Sequence, residues 1–212
     1  MGSKPAAAAR GAHEVRIVGG QWKRSKLAVP DRPGLRPTPD RVRETLFNWL
    51  GQDLTGWRCI DPFAGSGALG FEAASRGAAH ALLIEQDAQA VRQLQQARLR
   101  LQAGTVEVRR GDGLAALRQA AGQALDLVLL DPPFEAGLYE PALRAARACV
   151  APTGRVYLEA PEAWSTARLA ACGFTLARHL RAGAVHAHLL GPADAALHNA
   201  AHVAGEAPCP TR

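Results

Sequence analysis

The chain lacks the features that mark several function classes. Its four cysteines, Cys59, Cys149, Cys172 and Cys209, stand far apart with no metal-like spacing. That excludes a zinc-ribbon pattern, and the residues read as reduced, mostly buried thiols of a cytoplasmic protein. No apolar run approaches the length of a membrane span, and residues 1–10 lack the apolar core of a signal peptide. Position 6 is Ala, so the myristoylation pattern at Gly2 fails. Neither a membrane nor an obligate protein partner is expected. Only three of the 25 basic residues are Lys. With the abundance of Ala, this reflects genomic base composition and carries no functional weight. His198 and His202 stand at helical spacing without acidic partners, so no metal site is expected.

What is present is a chain of 212 residues, 48% apolar, long enough for one domain with a substantial core. Its positive charge is unevenly placed. Residues 1–50 hold ten Lys/Arg against four Asp/Glu, while the rest of the chain holds fifteen of each. A basic N-terminal quarter points to a polyanionic partner, most simply nucleic acid; the alternative is a solvated surface that only aids solubility.

In chain order, residues 1–13 read as a disordered lead and 14–56 as a basic hairpin, a Pro-rich linker and a helix. Val15–Val18 and Lys26–Val29 alternate as two short strands around Gly19-Gly20. Between them Trp22, Lys23, Arg24 and Lys26 set cations beside an aromatic, suited to phosphates and a base, or else Trp22 packs on the domain. Thr38 is the expected N-cap of a helix from Pro39 to Leu50. From Trp57 to about 190, strands expected at 57–61, 80–85, 105–110, 125–130 and 155–159 alternate with helices, the last expected at 162–171, and two consecutive strands follow at 173–180 and 184–190. That pattern predicts a mostly parallel, doubly wound sheet with one antiparallel strand. Residues 191–212 read as a disordered tail.

The informative stretch is DPFAGSGALG, from Asp61 to Gly70. It is a strand end, a glycine turn and a helix start, and Gly65–Gly70 fits G-x-G-x-x-G. Glycines there permit a tight turn and close backbone approach to a ligand. Glu85 follows Gly65 by 20 residues, the spacing of a carboxylate that holds ribose hydroxyls. Asp61, Glu85, Asp112 and Asp131 all fall at strand carboxyl ends, where ligands of such sheets bind; the alternative for each alone is a helix cap. A nicotinamide cofactor explains Gly65, Gly67, Gly70 and Glu85, but not Asp61 or Asp131-Pro132-Pro133-Phe134.

D-x-F-x-G-x-G, an acid about 20 residues on and D-P-P-F after the fourth strand resemble S-adenosyl-L-methionine-dependent methyltransferases that act on an amino group. The resemblance implies a Rossmann-like class I fold, an α/β architecture with a seven-stranded sheet. It implies that Asp61 and the Gly65–Gly67 turn lie near the methionine part of the cofactor, Glu85 at the ribose and Asp112 at the adenine. Phe63, Ser66 and Gly113 complete the cofactor set. A nucleobase amine is a poor nucleophile because its lone pair is delocalised. The Asp131 carboxylate and the Pro132 carbonyl can accept its two hydrogens and leave the lone pair facing the sulfonium, with Pro132 and Pro133 stiffening the loop and Phe134 stacking on the base. The target base is unpaired or flipped.

RIVGGQWKRSKLAVP and GLRPTPDRVRETLFNWL, together with FAGSGALG and LDPPF, closely resemble the RsmD family of bacterial 16S ribosomal RNA guanine-N2 methyltransferases over about residues 15–190. The resemblance implies a 16S rRNA (guanine(966)-N(2))-methyltransferase acting on rRNA within the 30S particle. Arg16, Trp22, Lys23, Arg24, Arg36, Arg41 and Arg43 become candidates for rRNA contact or for closing over the cofactor. Pro62 departs from the pattern, where a bulkier or more variable residue is expected. The rival of the same chemistry is a DNA adenine or cytosine amino-methyltransferase, disfavoured because no insertion is large enough for a DNA-recognition domain. A non-catalytic RNA-binding assembly factor is a rival of another class, and it has no need of Asp131 and Phe134 beside a glycine turn.

Overall fold

The computed structural model describes residues 14–29, 38–134 and 137–193. The expected lead, Arg36 in the Pro-rich linker, and the part of the expected tail after residue 193, with His198, His202 and Cys209, lie outside the described residues. No helix among the described residues is long and apolar enough to cross a membrane.

The chain opens with a two-stranded antiparallel ribbon, β1 (Glu14–Arg16) and β2 (Lys26–Ala28), followed by α1 (Asp40–Leu50). A regular alternation then runs β3 (Arg58–Asp61), α2 (Ala68–Ser75), β4 (His80–Glu85), α3 (Ala88–Arg100), β5 (Val106–Arg110), α4 (Gly113–Gln119), β6 (Leu125–Leu130), α5 (Tyr139–Cys149), β7 (Val150–Ala160) and α6 (Thr166–Ala171). It closes with β8 (Phe174–Ala182) and β9 (Val185–Pro192). The seven-stranded sheet has the order β5-β4-β3-β6-β7-β9-β8. Strands β3 to β7 pair in parallel, and β9 runs antiparallel to both neighbours. The strand order therefore reverses between β3 and β6, where a crevice opens at the carboxyl ends of both strands.

Strands covered on both faces need apolar side chains on both. In β6 that is met by Leu127 and Leu129 on one side and Val128 and Leu130 on the other, all fully buried. The first side belongs to an apolar cluster shared with β1, β2, α1 and α2, the second to one shared with α5 and α6. Val15, Ile17, Leu27, Leu46 and Phe47 thus lie in the same core as Phe71 and Leu83. Cys59, Cys149 and Cys172 are free and buried, as expected.

Three boundaries depart from expectation. Strand β7 begins at Val150 rather than 155, with an irregular register against Leu125 that accommodates Pro152 at the sheet margin. Helix α6 begins at Thr166 rather than 162, because Ser165 caps it by accepting from the Arg168 N–H at 3.2 Å. Thr38 does not cap α1: Pro39 occupies the cap position without a side-chain bond, and the Thr38 hydroxyl points elsewhere.

Candidate active site

The site begins with the loop between β3 and α2. Asp61, the last residue of β3, is 2% exposed. Its Oδ2 accepts from the Gly70 N–H at 3.1 Å, which ties the strand end to the first turn of α2. Its Oδ1 is buried with no partner among the described residues. Burial pushes the carboxyl up to about 7 from its ordinary 3.8, against the Gly70 and Phe63 backbone N–H groups, which pull it down. Gly67 begins α2 in the left-handed region, φ 78°, and a Cβ there would lie 2.5 Å from the Leu94 side chain. Only glycine satisfies both conditions.

Glu85 closes β4. One carboxylate oxygen accepts from the Gly65 N–H at 3.0 Å, the other from the Asp87 N–H at 2.9 Å. The interval of 20 residues thus has a local reason: this carboxylate holds the glycine turn. Asp112 after β5 caps α4 through the Ala115 N–H at 2.7 Å and accepts from Gln86 Nε2 at 3.2 Å. The cap and the exposed position coexist, since Asp112 is still exposed to solvent. Gly113 is buried, and a Cβ on it would fall 2.0 Å from the Pro62 carbonyl oxygen. Its side chain is excluded by packing under the Pro62-Phe63 turn.

A narrow cleft, with about 50 Å³ of solvent-accessible space, runs along this loop. Asp61, Phe63, Gly65, Ser66, Thr38 and Asp131 all line it. Asp131 follows β6 and is half-buried, Pro132 is buried, and Phe134 is 47% exposed, one of few large apolar side chains left open to solvent. Burial, then the neighbouring charges of Glu159 and Asp61, push the Asp131 carboxyl well above its ordinary range. Glu159, near the end of β7, is raised by burial as well, and it accepts from the Thr38 hydroxyl at 3.0 Å and the Tyr157 hydroxyl at 2.9 Å. Glu159 and the role of Thr38 escaped the sequence reading. The only signal was an acid inside an apolar strand run, RVYLE, which by itself reads as a strand end.

The expected RNA-facing residues separate. Lys23 and Arg24 are exposed on the turn between β1 and β2, and Arg24 holds φ 73°. Trp22 is half-buried, packed against the core, and its N–H donates to Ser75 Oγ at 2.9 Å. Arg16 is exposed and sits 3.4 Å from Asp40. Arg41 is exposed on α1. Arg43 must be withdrawn from the RNA-facing set. It is fully buried, 2.7 Å from Asp40 and 3.4 Å from Glu72, and it also donates to the Thr38 carbonyl at 3.3 Å. Its charge is used inside the protein. Glu72, fully buried on α2, is the hub: it also accepts from the Val18 N–H at 2.8 Å and from Arg76 at 2.8 Å.

The donor set fits a cationic, nucleoside-bearing cofactor. Asp61, with one buried carboxylate oxygen unpartnered among the described residues, lines the cleft beside a turn that excludes side chains at Gly67. Among known proteins, the family described as conserved hypothetical protein 95, which comprises the RsmD proteins, matches residues 15–191. The chain belongs to this family. The RsmD relatives include ribosomal RNA small subunit methyltransferase D of Escherichia coli, 52% identical over 130 residues, which is 61% of this chain and 65% of that protein. The aligned segment therefore spans just under two thirds of the E. coli relative. The protein of the same name from Haemophilus influenzae is 41% identical over 165 residues, 72% of this chain and 86% of that protein. A solved putative methyltransferase from E. coli superimposes with a TM-score of 0.73 at 40% identity, covering 85% of this chain and 98% of that one. The fold is accordingly the Rossmann-like class I methyltransferase fold with a small antiparallel hairpin in front.

Proposed function

We propose that this RsmD-family chain transfers a methyl group from S-adenosyl-L-methionine to the exocyclic N2 of one guanine of small-subunit rRNA in the 30S particle. The observation that carries the reading is the placement of the D-P-P-F loop. Asp131 opens into the same cleft as Asp61 and the glycine turn, across the point where the strand order reverses. The names of the relatives supply the substrate class.

Bound beside Asp61, the cofactor supplies an electrophilic methyl group on a sulfonium. Everything else falls to the protein. Asp61 offers an unpartnered carboxylate oxygen to the cofactor's cationic end, and Glu85 and Asp112 are proposed for its ribose and adenine. Asp131 and the Pro132 carbonyl accept the two amine hydrogens and aim the lone pair. Phe134, left open to solvent, offers its ring to the base plane, as a flipped or unpaired base requires. Lys23, Arg24, Arg16 and Arg41 are proposed to meet phosphates.

The test uses purified protein, labelled S-adenosylmethionine and three substrates: 30S particles from cells lacking the enzyme, naked 16S rRNA, and DNA. Label recovered as N2-methylguanosine from the 30S sample is the expected result. Label in DNA as N6-methyladenine or N4-methylcytosine would keep the chemistry and overturn the substrate. No transfer to any of the three would leave only the fold.

A further inference from the structure

The far margin of the sheet carries a cationic surface that belongs to no part of the N-terminal quarter. From Ala163 to Ala193 the sequence holds three Arg and three His and no Asp or Glu. Strand β8 is the sheet edge, and its residues from Thr175 to His179, with Arg181, are exposed. Among the described residues, Arg178 and Arg181 meet backbone carbonyls only, those of Ala177 and Gly183, each at 3.2 Å. Other exposed arginines, Arg16 and Arg109, find carboxylates at 3.4 and 2.6 Å. Glu162, the acid just before this stretch, is engaged by Arg168 at 2.8 Å. Behind the edge the polar contacts are imidazoles. His188 is fully buried: its Nε2 accepts from the Trp164 N–H at 3.1 Å and its Nδ1 donates to the Leu158 carbonyl at 3.2 Å, which is the neutral form. His179 and His186 stack with ring centroids 5.2 Å apart and share a hydrogen bond of 3.0 Å.

Register sets this surface beside the D-P-P-F loop. Leu130 pairs with Leu158, Leu158 with His188, and His188 with His179. That row crosses three strand spacings, about 14 Å, from the residue before Asp131 to the middle of β8. Strand β8 is antiparallel to β9 and so runs with β7, which carries Arg181 two residues farther toward the end of the sheet where Asp131 lies. The N-terminal ribbon is gripped by α2, between β3 and β4, on the other side of that loop in the order of the sheet. We propose that the β8 edge, through Arg178 and Arg181, is a second docking surface for the phosphate backbone of the substrate RNA, across the D-P-P-F loop from the ribbon. This rests on the reading of rRNA as the substrate. Arg178 pairs with Leu189 and Arg181 with His186, on opposite faces of the strand, so the two cations straddle the edge. A flipped base must be held against restacking, and phosphate contacts on both sides of the loop fix the register of the backbone that carries it. Edge strands also carry charge to repel pairing with other strands. Either sign serves that task, and this margin holds one sign only.

The test measures binding of the full chain to 30S particles from cells lacking the enzyme, over a range of salt. It compares wild type with Arg178→Glu/Arg181→Glu and Arg178→Lys/Arg181→Lys. Each phosphate contact carries about 0.7–0.9 of the salt slope, a factor of about five to eight in affinity for each tenfold change in salt. The Glu pair should therefore weaken binding by about tenfold or more at about 0.1 M salt and lower the slope by about one to two. The Lys pair keeps both point charges and should stay within about threefold of wild type. The Kd for S-adenosylhomocysteine and the urea midpoint should not move in either, which separates a lost contact from a folding defect. The Glu pair also keeps a charged edge, so any guarding of the edge is retained. Unchanged affinity and slope in the Glu pair would overturn the surface. So would self-association of Arg178→Ala/Arg181→Ala with its 30S affinity intact, which would assign the arginines to repelling another strand. Wild-type binding that depends on both arginines, without N2-methylguanosine in the product, would strike the reading of the reaction and leave the surface standing. N2-methylguanosine formed equally well by the Glu pair would do the reverse.

Discussion

The carboxylate proposed to receive the cofactor should weaken the protein when the cofactor is away. Asp61 is buried and pushed up to about 7, whereas an Asp in the unfolded chain ionises near 3.8. Between those values the folded form holds a proton that the unfolded form has lost. Stability contributed by this group is therefore fully present below pH 3.8 and is lost as pH rises through 7. A difference of about 3 units at about 1.36 kcal/mol each sets a ceiling near 4 kcal/mol. Asp61→Asn removes the titration. Its side-chain oxygen can still accept from the Gly70 N–H, and its amide takes the place of the unpartnered Oδ1. With relaxation halving the ceiling, the variant should exceed wild type by about 2 kcal/mol at pH 8, a shift of about 1 M in a urea midpoint, and by far less at pH 4. The assay is urea unfolding of cofactor-free protein at several pH values, followed by the fluorescence of the four tryptophans. Equal stabilities at pH 8, or parallel pH dependences in the two proteins, would refute the argument. The same variant should bind S-adenosylmethionine worse, so the stability gained and the affinity lost share one cause.

Other substitutions probe other parts. Phe134→Ala should lower methyl transfer far more than cofactor affinity, since the ring lies open to solvent; an equal loss of cofactor binding would remove Phe134 from the base. Reversing charge with Lys23→Glu and Arg24→Glu should weaken RNA binding and reduce its salt slope by about one to two, and an unchanged slope would take this turn out of the interface. Arg43→Met leaves Arg76 as the ion-pair partner of Glu72, so a loss of about 3 kcal/mol in urea unfolding is expected, at the lower end for a broken buried pair. A loss below about 1 kcal/mol, or a specific fall in RNA affinity without one in stability, would return Arg43 to the surface set.

The sheet was legible because β4 and β6 carry near-continuous apolar runs bounded by turn residues, and because two strands without a helix between them announce the antiparallel partner. The cleft was legible where chemistry is concentrated in short stretches, at Asp61–Gly70 and Asp131–Phe134. What escaped were side chains whose partners are distant in sequence. Arg43 looks like any helix-surface cation until Glu72, 29 residues on, is brought against it. Thr38 before Pro39 has every local mark of a cap, yet its hydroxyl spans 121 positions to Glu159. Glu85 at 20 residues from Gly65 was read for a ligand, and in the fold it binds the glycine turn itself. Sequence spacing exposes local geometry, and it is silent on which polar group a buried side chain will meet.

Helix α2 meets two clients at once. Its first turn holds Asp61, and its far end grips the N-terminal ribbon, where Ser75 Oγ donates to the Gly19 carbonyl at 2.6 Å and Glu72 accepts from Val18. A Cβ at Gly20 would strike the Ser75 carbonyl at 1.9 Å. The basic turn is therefore no interchangeable tag. A chimera that grafted another protein's hairpin in place of residues 14–29 would strip Glu72 and Ser75 of their partners and loosen the helix that braces the cleft. Retargeting such a protein is more tractable at the exposed tips, Lys23 and Arg24, than by exchange of the whole ribbon.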